Sequence, residues 1–172
     1  MTPSRLAAIA SLAVALTTPA ARAADPAPLD ALAPLAGTWS AQGGGAPGQG
    51  AGVVSFERDV GGHAIVRHNA VTYPAAEGRP ASTHEDLLVI YADGADTRAL
   101  YVDGEGHVIR YAAAGSPPGR LVLVSDGGPG PRFRLTHDWS EPGALKITFE
   151  IAPPGSTEFK TYAEGRATRR GP

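Results

Sequence analysis

The chain has 172 residues, no cysteine, and 15 Lys and Arg against 17 Asp and Glu. That length supports one domain with a core of its own, and the missing cysteines exclude a disulfide-stapled scaffold. The slight acidity argues against nucleic acid or an anionic membrane surface as the main partner.

Residues 1–23 read as a secretory signal peptide: Arg5, an apolar run from Leu6 to Leu16, then Pro19 and the small-x-small site Ala21-Arg22-Ala23. The run is about half of the ~20 residues a membrane span needs. No twin-arginine pair precedes it, and no cysteine is present to carry a lipid. Two cations, Arg5 and Arg22, fall in this leader, so the remainder is more acidic than the whole. Lys occurs only at 146 and 160, with Arg at the other basic positions and abundant Ala, Gly and Pro. That bias suggests GC-rich coding, a bacterial source and a periplasmic or extracellular address. Residues 24–36 form a short lead segment with room for a helical turn or two, limited by Pro34.

From Gly37 onward the spacing predicts strands. The first is Gly37 to Gln42. Gly43 to Gly52, GGGAPGQGAG, only superficially resembles a phosphate-binding loop, because no helix follows it. It reads as a flexible loop and a candidate portal. Further strands are expected over Val53–Asp59, His63–Tyr73, Glu85–Tyr91, Thr97–Asp103, His107–Ala113 and Arg120–Ser125. Turn sequences such as Asp59-Val60-Gly61-Gly62 and Asp103-Gly104-Glu105-Gly106 separate them. In Arg132–Trp139, Phe133, Leu135, His137 and Trp139 share one face. In Ala144–Ala152, Leu145, Ile147, Phe149 and Ile151 alternate with Lys146, Thr148 and Glu150. Glu158–Thr168 is the last strand. About ten antiparallel strands in one domain must close into a barrel or split into a sandwich, since an open sheet leaves long unpaired edges.

A short lead, then LAPLAGTW (Leu32–Trp39), then a meander resembles the calycin superfamily of lipocalins and fatty-acid-binding proteins. ERDVGGHAIV (Glu57–Val66), LLVIYAD and the segment from His137 to Arg169 resemble a narrower group, secreted bacterial lipocalin-like domains of unknown function. The resemblance implies an all-β, antiparallel up-and-down barrel over 37–169, with a cavity and with Gly37 and Trp39 as structural residues at one barrel end. It supplies no activity. Two features depart from better-known members. No Arg-x-Tyr for a carboxylate occurs in the last strand, and the surroundings of the late His137 do not match a haem motif.

Several residues are candidates for chemistry. His137 is either a satisfied core histidine or a ligand contact. On a regular strand one of Arg67 and His68 faces inward, and an inward Arg67 needs a carboxylate from a ligand or from a partner such as Glu57. Arg110 and Tyr111 raise the same question. His84-Glu85-Asp86 is dense in metal-ligating groups, of which only His84 and Asp86 converge; a solvated strand start is the plainer reading. Asp93, Asp96, Asp103 and Glu105 sit in turns whose spacing does not match the twelve-residue calcium loop. Without cysteine, and with five scattered histidines, no structural zinc is expected, and no cofactor is implied. Ser125-Asp126 and His137-Asp138 carry nucleophile and base types without a Gly-x-Ser-x-Gly elbow.

Three functions follow as expectations. The first is a carrier binding a small apolar molecule in the lumen, oriented by some of Arg67, His68, Arg110, His137 and Tyr162, with Leu135 and Phe149 on its wall. The second is an isomerase, cyclase or hydrolase on the same barrel, with His137 or Glu57 as base. The third is an envelope interaction module without a ligand.

Overall fold

The computed structural model describes residues 29–171 except 44, 45, 47, 48 and 77. The leader expected over 1–23 lies outside the described residues. A 3₁₀ helix, Asp30–Leu35, precedes ten strands: β1 (Gly37–Ala41), β2 (Ala51–Asp59), β3 (Ala64–Tyr73), β4 (Ser82–Asp93), β5 (Asp96–Asp103), β6 (Val108–Gly115), β7 (Arg120–Ser125), β8 (Arg132–Asp138), β9 (Ala144–Ala152) and β10 (Lys160–Arg169). Each strand pairs antiparallel with the next, and β1 pairs with β10, so the meander is a closed barrel and not a sandwich. Closure removes every sheet edge. Among the described residues no helix is long and apolar enough to cross a membrane.

Strand direction divides the barrel into two ends. The lead helix plugs one. Leu29 just before it and its own Leu32 and Leu35 are at most 2% exposed, and burying each stabilises the fold by about 1.5–3 kcal/mol relative to leaving it in water. Trp39 packs beside them, its indole N–H donating to the Leu35 carbonyl at 3.0 Å. Arg169 lies over the indole at 4.1 Å and donates to the carbonyls of Ala36 (2.6 Å) and Pro34. Arg58 ties the helix to β2 through the Leu29 carbonyl and Asp30.

Gly37 permits this closure. Its φ is +117°, which side chains rarely adopt, and a Cβ there would sit 2.9 Å from Arg169 Nη1. Gly37→Ala is therefore expected to lower stability by about 1–3 kcal/mol. A shifted thermal midpoint checks it, and an unchanged midpoint would mean that the arginine clamp is slack.

Several boundaries differ from the sequence expectation, and three strand starts do so by two residues or more. β2 starts at Ala51, inside the glycine-rich stretch. Gly52 pairs with Val71 so closely that a Cβ would overlap the Ala70 carbonyl. β10 starts at Lys160 and has a bulge at Tyr162, between the pairs Thr161–Glu150 and Ala163–Phe149. β4 starts at Ser82, three residues early, which brings His84 into the sheet.

Candidate functional site

The end opposite the helix opens into a cavity of about 850 Å³. Its two walls differ in chemistry. One is apolar: Ile109 of β6, Phe133 and Leu135 of β8, and Ile147, Phe149 and Ile151 of β9. Phe133 and Phe149 stack at 5.7 Å between centroids, and Phe149 meets Tyr162 edge-on at 6.2 Å. The other wall, from β3, β4 and β5, carries a hydrogen-bonded network.

Register builds that network. Asn69 on β3 stands opposite Asp86 on β4, with Arg67 and His84 two positions along the same faces. The Asp86 carboxylate accepts from Arg67 Nη2, from Asn69 Nδ2 at 2.8 Å, and from His84 Nε2 at 3.3 Å. Burial alone would raise the Asp86 pKa. The Arg67 charge and the bonds from His84, Asn69 and Arg67 outweigh burial and bring it to about 2.

His84 responds in the opposite sense. Its bond to Asp86, opposed by burial and reinforced by Glu105 at 3.1 Å, holds its pKa up at about 9. Charged His84 has two N–H donors. Nε2 also faces the Tyr101 hydroxyl at 3.3 Å, which in turn donates to Asp103 at 3.2 Å. Burial and then the Asp86 and Asp103 charges push the Tyr101 pKa well above its ordinary value, so this phenol stays protonated.

Arg67 also reaches His137 Nε2, at 3.2 Å. A guanidinium only donates, so Nε2 accepts and the proton sits on Nδ1. Burial, then the Arg67 charge, pushes the His137 pKa down to about 3. The ring is fully buried, edge-on to Phe56 at 5.6 Å, and its Nδ1 has no partner.

The sequence candidates divide as follows. Arg67 faces inward and is 3% exposed. His68 faces outward and lines a separate outer groove with Val53, Ser55 and Leu87. Arg110 is exposed on the outer face of β6, where Tyr111 takes the inward position. Glu57 is exposed, so Arg67 is paired by Asp86 instead. Leu135, Phe149 and Tyr162 line the cavity, whereas His137 is sealed in the core beside Arg67.

The solvated strand start expected at His84–Asp86 is corrected: the Asp86 side chain is 4% exposed and anchors the site. The sequence pattern does not distinguish Asn69 or Tyr101. The signal was weak because Leu87 to Tyr91 is apolar on both faces, which conceals which parity of β4 points inward. At the cavity mouth Asp103, Glu105 and His107 have ligand atoms within 4.8 Å of one another, close enough to hold a metal ion. Asp103 there already accepts from the His107 ring at 2.9 Å.

No family model matches the sequence, and a search of curated proteins finds no match.

Proposed function

We propose that the protein is a secreted, lipocalin-like carrier that holds a small, largely apolar molecule in the barrel lumen. The observation that carries this reading is the divided cavity, with an aliphatic and aromatic wall facing a wall of mutually bonded polar groups. Its volume falls within the range of small-molecule sites, and its composition matches theirs: mostly apolar, with a few placed polar groups. The closed meander, entered through Gly37 and Trp39 and plugged by a short helix, supports kinship with the calycins. The leader-like residues 1–23 support secretion.

The protonation states favour binding over proton transfer. At neutral pH His84 is charged, Asp86 ionised and Tyr101 neutral, so these three give a fixed hydrogen-bonding surface. A catalytic base would need a pKa nearer the working pH.

A neutral fluorescent probe, N-phenyl-1-naphthylamine, is expected to bind saturably to the wild-type protein. Leu135→Trp and Phe149→Trp place an indole in the lumen and are expected to weaken binding about tenfold or more, with circular dichroism and cooperative unfolding retained. Absence of saturable binding to the wild type would overturn the carrier reading.

A further inference from the structure

Tyr111 is a polar group of the cavity lining that stands outside the network. It lies on β6, between Ala99 of β5 and Ser125 of β7, is 2% exposed, and lines the cavity. Its hydroxyl makes no hydrogen bond to the described residues, and unlike Arg67 Nε and His137 Nδ1 it is not sealed from solvent. Burial raises its pKa, so it keeps its proton and can donate.

The cations around the same cavity are all engaged. Arg67 is held by Asp86, His84 by Asp86 and Glu105, and Arg166 by Glu141 at 3.2 Å. Arg79 also has a partner. An anionic ligand would have to break one of these pairs or enter without a counter-charge, beside Asp86, Asp103 and Glu105. An uncharged acceptor needs none of this. It requires one accessible donor with a free bond; Arg67 Nε and His137 Nδ1 are unpartnered but sealed, and Tyr111 supplies it.

Resting on the lumen-binding reading above, we infer that the ligand is an uncharged molecule with an apolar body and one hydrogen-bond acceptor, such as a ketone or ester carbonyl, which accepts from the Tyr111 hydroxyl, and that the lumen discriminates against free carboxylates. The apolar wall of β8 and β9 takes the body. The bonded wall of β3 to β5 contributes shape and a balanced charge instead of an ionic anchor.

The test is competition against N-phenyl-1-naphthylamine at pH 8, using a medium-chain methyl ketone and the carboxylate of equal chain length. The ketone is expected to displace the probe at a concentration roughly tenfold lower than the carboxylate. Tyr111→Phe should weaken ketone binding about threefold to tenfold more than it changes probe binding, the worth of one neutral hydrogen bond. Its unfolding midpoint should be unchanged or higher, because the lost hydroxyl had no protein partner. A merely structural phenol would instead lose stability and leave ketone binding alone. A carboxylate that competes as well as the ketone would overturn the inference, as would a Phe variant that binds ketone like wild type. If the wild type fails to bind even the probe, the carrier reading fails as well, a result distinct from the other two.

Discussion

Asp86→Asn is expected to destabilise the protein by about 3–5 kcal/mol, the usual consequence of stripping the counter-charge from a buried ion pair. Arg67 and Asp86 side chains are each 4% exposed. Without the carboxylate, Arg67 keeps only uncharged acceptors, the new amide oxygen and His137 Nε2, and charged His84 loses one of its two acid partners. Removal of the other partner should be milder. In Arg67→Met, Asp86 still accepts from Asn69 and from His84, which supplies a charge. The ordering is therefore asymmetric, with the aspartate variant the less stable of the two. The double variant Arg67→Met/Asp86→Leu removes both buried charges and should recover much of the loss. Chemical denaturation of the three variants decides the matter. A loss under about 1 kcal/mol for Asp86→Asn would show that the pair is solvated in solution and contributes as little as a surface bridge.

Stability is also expected to peak near neutral pH and to decline on both sides for separate reasons. On the acid side the cause is His137. Its ordinary pKa is 6.5 and its folded value about 3. Between these the unfolded chain takes up a proton that the native core refuses, so stability falls as pH drops through the interval. The slope is that of one proton, about 1.4 kcal/mol per pH unit. Asp86 adds to this only below its ordinary 3.8, as the pH approaches its folded value of about 2. On the alkaline side the cause is His84. Its folded pKa lies above its unfolded one, so its contribution is complete below 6.5 and fades as pH rises through about 9. His84 is partly exposed, so this limb should be shallower than the acid one. Urea midpoints measured across pH provide the check. His137→Gln keeps an acceptor for Arg67 but does not titrate, so it should flatten the slope between pH 6.5 and 3. An unaltered slope in that variant would assign the acid limb to other groups.

Much of the architecture was legible in the order of residues alone. β7 and β9 have the bounds that alternation predicts, Arg120–Ser125 and Ala144–Ala152. In β9 Leu145, Ile147, Phe149 and Ile151 alternate with Lys146, Thr148 and Glu150, so a period of two is written in the polarity of the residues. The same parity put Phe133, Leu135 and His137 on one face. Turn chemistry such as Asp59 to Gly62 marked where strands end, and the number of strands required either closure or a second sheet.

The site was less legible, and for a physical reason. Parity says which face a side chain takes, but not which partner waits there. In β3 and β4, Ile65-Val66 and Leu87 to Tyr91 are apolar on both sides, so even the inward parity of Arg67 and Asp86 could not be read from their neighbours. Arg67 meets Asp86 because β3 and β4 pair in the register that sets Asn69 opposite Asp86. It meets His137, seventy residues away, because the closed barrel brings β8 into reach of β3. The sequence by itself determined the strands, their turns and the apolar wall, since these follow from local alternation against water. Only the tertiary structure decided that one arginine is neutralised, that one histidine is sealed neutral, and that Tyr111 is left with its hydrogen bond unmade, since each depends on the register and closure of the whole sheet.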